Sequence, residues 1–135
     1  MIERFFNIKN QDDIYNAVGQ IIKASQEWEM QYKEYARRLK LDMENYDYAT
    51  IRRLNFILKE KNVLSEKEFN DLQQVVALRN YINHEFFVKD FYKDEKELND
   101  KLNNIMFLIY EATDLIANMI ERLEGFDQMR KTIFD

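Results

Sequence analysis

The chain has 135 residues, 46% apolar and 33% charged, with a net charge of −5, which suits one compact domain with a real core and makes neither a disordered chain nor a two-domain enzyme the natural reading. With no proline and two glycines, Gly19 and Gly125, it lacks the turn punctuation of a sandwich, barrel or doubly wound sheet, and it reads as all-α. The absence of cysteine and the single histidine exclude a disulfide framework, a thiolate nucleophile and sulfur-based or His-rich metal sites, so no metal and no cofactor are expected.

The N-terminus, MIERFFNIKNQDD, has no signal-peptide hydrophobic core. From Asn10 onward, Ile14, Val18, Ile21, Ser25, Trp28, Tyr32, Tyr35 and Leu39 recur at alternating spacings of four and three and predict one amphipathic helix about 40 Å long. The polar segment LDMENYD interrupts it. Asp47 is the expected cap of a second helix that carries Ile51, Leu54, Ile57 and Leu58 up to Lys61, with Lys61 to Leu64 as the turn.

Ser65 and Glu68 form a capping box, and Phe69, Leu72, Val75 and Val76 open a third stripe, expected to run to about Phe91. Asp94 with Glu97 repeats the start signal. Leu98, Leu102, Ile105, Ile109, Ala112, Ile116, Met119 and Leu123 then fill every heptad position up to Gly125, in the C-cap place. Residues 126–135 are left as a packed or frayed tail.

Two long heptad-patterned helices, two shorter ones and short connections predict an up-down-up-down four-helix bundle in a single domain, residues 1–135. The longest strongly apolar run, Ile105 to Tyr110, is far short of the roughly 20 residues of a membrane span, so a soluble, cytoplasmic chain is expected. The acidic balance argues against a protein that coats nucleic acid non-specifically, yet leaves room for a local basic patch.

Polar residues interrupt the third stripe. On a helical wheel Phe69, Leu72, Val75, Val76, Ile82, Phe86 and Phe87 mark its buried side, with Arg79 and Asn83 near the middle and Asn80 and His84 along the edge. A core guanidinium left unpaired costs several kcal/mol, so Arg79 must meet a carboxylate, a partner subunit or a ligand. The plainer reading makes Arg79 a structural ion pair and His84 a half-exposed surface residue.

The segment LRNYINHEFF sets Arg79, the polar Asn80 and, after four intervening residues, His84. It resembles the R-x(4–6)-H signature of the HEPN superfamily, an all-helical family of this size. The resemblance implies a HEPN-like bundle and a metal-independent endoribonuclease that works as a homodimer with two motif helices facing one cleft. His84 would be the general base towards a ribose 2′-hydroxyl, Arg79 would stabilise the charged phosphate, and Asn80 would orient one of them, leaving a 2′,3′-cyclic phosphate. Asn83 would support the patch. A branch of the family whose toxins pair with nucleotidyltransferase antitoxins has tyrosine two residues after the histidine, where this chain has Phe86.

In the expected topology Arg37, Arg38, Lys40, Arg52 and Arg53 cluster at the Arg79/His84 end as an RNA footprint, with Tyr46 and Tyr48 available to stack bases. The expected function is a toxin or defence ribonuclease restrained by an antitoxin or regulatory partner. The alternative is a non-catalytic helical dimerisation or protein-interaction module, a degenerate HEPN domain or an unrelated bundle, in which Arg79 and Asn83 specify subunit pairing.

Overall fold

The structure is a computed structural model that describes residues 5–39 and 50–134, leaving aside the side chains of 126, 127 and 130–134. Among the described residues all regular structure is helical: α1 (Gln11–Arg38), α2 (Ile51–Glu60), α3 (Glu66–His84), α4 (Phe86–Lys89) and α5 (Glu95–Phe134). Side chains close the helix starts. Asn10 Oδ1 accepts from the Asp13 N–H at 2.9 Å, and Asp94 Oδ1 accepts from the Glu97 N–H at 2.9 Å. Ser65 and Glu68 complete the capping box in both directions, at 3.1 and 2.9 Å. The cap of α2 is Thr50, whose Oγ1 accepts from the Arg53 N–H at 3.2 Å; Asp47 lies outside the described residues.

Two boundaries depart from the sequence expectation. α3 stops at His84, not near Phe91, because Glu85 turns the backbone (φ −121°, ψ −30°) before the single turn of α4. The bend seats Phe86 in the core, edge-on to Tyr81 with ring centroids 6.2 Å apart. α5 continues through Gly125 to Phe134, so residues 126–134 extend the helix instead of forming a separate tail. A glycine ends a helix by taking positive φ, and neither glycine does so here. The left-handed position belongs to Asn62 (φ 59°), in the turn between α2 and α3, as the short polar side chain of asparagine tolerates.

Cross-helix contacts fix the directions. Ile14 and Leu98 line one cavity near the starts of α1 and α5, while Arg38 at the end of α1 pairs with Glu124 late in α5, so these two helices run parallel. α3 runs against both, since Arg79 reaches Glu29, Phe87 just beyond its end stacks on Tyr15, and Glu68 near its start lies 4.0 Å from Arg122. α2 folds back on α3, Phe56 meeting Phe69 and Asn55 meeting Gln73. The expected up-down-up-down order fails, because it requires the first and last long helices to be antiparallel. Periodicity identifies each helix but carries no information about direction.

The predicted stripes form the core. Ile14, Val18, Ile21, Ser25, Trp28, Tyr32 and Tyr35 of α1 and the heptad residues Leu98 to Met119 of α5 are buried. Phe87 departs, 40% exposed, since the bend at Glu85 turns it outward to stack on Tyr15. A buried polar relay crosses the helices: the Tyr32 hydroxyl donates to Asn55 Oδ1, and Asn55 Nδ2 donates to Gln73 Oε1 at 2.9 Å. Burial holds the Tyr32 hydroxyl protonated far above its ordinary range. Among the described residues no helix is long and apolar enough to cross a membrane.

Candidate functional site

The polar residues of α3 divide into two groups. Arg79 is mostly buried (19% exposed), with Nη1 at 2.8 Å from Glu29 Oε2 on α1, while Glu29 Oε1 also meets Lys33 at 3.3 Å. The chain therefore supplies the carboxylate that Arg79 requires, and a second subunit is not needed for it. The pairing is incomplete, because Arg79 Nε is buried without an acceptor among the described residues. Asn83, expected near the middle of the buried side, is exposed, as are Asn80 and His84. Burial follows from which neighbour covers a face, and the bend after His84 leaves this one open.

Asn80 and His84 stand one turn apart and share a surface. Among the described residues no group donates to or accepts from the His84 imidazole. Five positions separate Arg79 from His84, which turns them about 140° apart around the helix. The two side chains therefore leave α3 on different faces, Arg79 towards Glu29 and His84 into solvent.

The described basic residues, Arg37, Arg38, Arg52 and Arg53, do not form one cluster. Arg37 and Arg38 end α1, where Glu34 pairs with both and Glu124 with Arg38. Phe87, three residues past His84, stacks on Tyr15 near the start of α1, about 35 Å along that helix from Arg38. Arg37 and Arg38 are thus far from His84, a consequence of α3 running against α1, while Arg79, through Glu29, lies about 13 Å from Arg38 along α1. Arg52 and Arg53 start α2, which packs antiparallel on α3, and this brings them towards the level of Arg79. Lys40, Tyr46 and Tyr48 lie outside the described residues.

Just past His84, an acid–base clasp pins the chain between α3 and α5. Asp90, 7% exposed, accepts from the Tyr81 hydroxyl and meets Lys93 and Lys101, each at 3.1 Å. The Lys101 ammonium also sits 4.7 Å from the Tyr81 ring centroid. The Tyr81 hydrogen bond and then Lys93 hold the Asp90 carboxyl well below the ordinary carboxylate range, while burial and then the bond to Asp90 push the Tyr81 hydroxyl up. A depressed carboxyl stabilises the fold above its unfolded value, about 3.9, and loses that contribution as pH falls through the folded value. Asp90→Asn is therefore expected to lower the melting temperature by a constant amount from neutral pH down to about pH 4, with the gap to wild type closing below that. Thermal unfolding across pH 2–7 checks it, and a gap that persists in acid would count against the clasp.

Sequence reasoning missed Glu29, Asp90, Asn99 and Asn103; Glu29 and the two asparagines act through partners remote in sequence, and Asp90 through partners on either side of the bend after α3. A signal existed for the last two: asparagines four apart beside a heptad stripe, where charged residues would ordinarily tile the surface. Among the described residues no three His, Cys, Asp or Glu side chains gather as a metal site would need. Comparison with family models, with curated proteins and with solved structures returns no match.

Proposed function

We propose that the chain is a HEPN-type, metal-independent endoribonuclease acting as a homodimer, a toxin or defence factor held in check by a partner protein, with its longer helices forming a HEPN-like bundle. The observation that carries this reading is the exposed, unengaged His84 imidazole with Asn80 one turn before it, at the end of α3. His84 takes the 2′-hydroxyl proton, the hydroxyl oxygen attacks the adjacent phosphorus, and the 5′-oxygen of the next nucleotide leaves with the bonding pair and takes a proton from water, giving a 2′,3′-cyclic phosphate and a 5′-hydroxyl without a metal. Arg79 supports the phosphate charge from the facing subunit, releasing Glu29 in part to do so.

The test is cleavage of a broad cellular RNA pool in EDTA, with cyclic-phosphate ends as the signature, together with sedimentation. The dimer is expected at about twice 16.6 kDa at tens of micromolar protein. A clean monomer that cuts nothing removes the proposal. The second reading, a non-catalytic interaction module, is favoured by the Arg79–Glu29 pair, which already gives the arginine a structural role, and by the aromatic corner where Tyr15 (52% exposed) stacks on Phe87 and Tyr92 is 88% exposed.

The division of the basic residues gives a separate expectation. Arg52→Gln with Arg53→Gln weakens RNA binding and lowers the slope of its salt dependence by about one for each phosphate left without its guanidinium. Arg37→Gln with Arg38→Gln leaves both unchanged, because those guanidinium groups are paired and distant. Filter binding across a salt series checks it, and equal effects of the two pairs would place the strand elsewhere.

A further inference from the structure

The segment before α1 is extended and lies along α5, gripped by two asparagine side chains. Asn103 Oδ1 accepts from the Phe5 and Phe6 N–H groups at 2.7 and 2.8 Å, and its Nδ2 donates to the Phe6 carbonyl at 3.1 Å. One turn earlier on α5, Asn99 Oδ1 accepts from the Ile8 N–H and its Nδ2 donates to the Ile8 carbonyl, both at 2.8 Å. Each amide also donates to a carbonyl of α5 itself, Glu95 at 2.9 Å and Asn99 at 2.7 Å, which fixes its orientation. Both asparagines are buried, 6% and 5% exposed.

These bonds read backbone and not side chains, as a sheet edge reads an added strand. Selection comes from Phe6 and Ile8, which are two apart in an extended chain, point to the same side and are buried, while Asn7 between them is exposed. Among the described residues no backbone–backbone hydrogen bond ties residues 5–9 to the rest of the chain. Two cavities adjoin the segment, about 290 Å³ beside Ile8 and about 350 Å³ beside Asn7. It is thus held as a bound peptide is held, by backbone-directed amides and two apolar anchors.

We infer that α5 carries a groove for an extended peptide with an apolar-x-apolar pair, and that residues Phe5–Ile8 are its resident ligand, exchangeable for a segment of that pattern from another protein. The groove does not depend on the nuclease reading. Its Asn99 and Asn103 rungs supply the affinity, and the resident segment competes from an effective concentration of the order of millimolar.

The test uses the full-length chain and a fluorescein-labelled peptide of its own residues 1–10. Wild type binds the peptide weakly, because its own segment occupies the groove. Phe6→Ser with Ile8→Ser in the protein loosens that segment and raises affinity for the peptide by at least about 10-fold. Adding Asn103→Leu removes the gain, by about 10-fold, and a peptide carrying Phe6→Asp and Ile8→Asp does not bind. A loosened protein that stays helical by circular dichroism but ignores the peptide overturns the inference. If the loosened protein unfolds, wild-type hydrogen exchange decides instead. Phe6 and Ile8 amides that open at least about 10-fold more often than those of mid-α5 support an exchangeable segment, and amides that exchange only with global unfolding overturn it.

Discussion

If the proposed ribonuclease reading holds, His84→Ala is expected to lower the rate of RNA cleavage by roughly 100-fold or more, the usual loss when a general base is removed. The substitution isolates chemistry from folding, because the imidazole is exposed and makes no hydrogen bond among the described residues, so stability shifts by only about 0.5 kcal/mol. Arg79→Ala is a less selective probe. It removes the proposed phosphate donor and also the partner of Glu29, which keeps Lys33 at 3.3 Å among the described residues, so rate and melting temperature are both expected to fall. The two variants therefore separate the readings: an enzyme loses activity in His84→Ala at constant stability, whereas an interaction module registers Arg79→Ala and ignores His84→Ala. Single-turnover cleavage in EDTA beside thermal unfolding of each variant makes the comparison, and a His84→Ala protein that cuts as well as wild type ends the ribonuclease proposal.

Trp28→Ala destabilises the fold by about 3–5 kcal/mol, the range for emptying a buried aromatic site. Trp28 is fully buried, and its ring stands edge-on to Tyr32 with centroids 5.7 Å apart, so truncation opens a cavity beside the hydroxyl that holds Asn55. Trp28→Phe is expected to cost much less, under about 1.5 kcal/mol. It gives up ring volume, but it also removes Nε1, a buried donor with no acceptor among the described residues, and a buried unsatisfied group costs about 1–3 kcal/mol. Urea unfolding of the three proteins checks this. If phenylalanine costs as much as alanine, Nε1 has an acceptor and its orphan state does not hold.

The elements themselves were legible in the sequence because their causes are local. The Ser65/Glu68 box joins atoms three residues apart, and the seam of α5 follows from apolar side chains repeating on one face of a single helix. The candidate site was legible only as a set of residues. Arg79, Asn80 and His84 follow from a spacing, but spacing does not reveal that Arg79 turns inward to a carboxylate 50 residues away while Asn83, on the predicted core side, stays in solvent.

What the sequence by itself determined is an all-helical chain with the starts of α3 and α5, its apolar stripes and most of its buried residues, since hydrogen bonding within a turn and the 3.6-residue period act over a few positions. Tertiary structure alone decided the parallel course of α1 and α5, the bend at Glu85, the separation of Arg37 and Arg38 from Arg52 and Arg53, and the extended segment on Asn99 and Asn103. Each depends on which faces meet and in which direction, and contacts such as Ile8 with Asn99, 91 residues apart, form only because burial of the helix stripes has already brought those parts of the chain together.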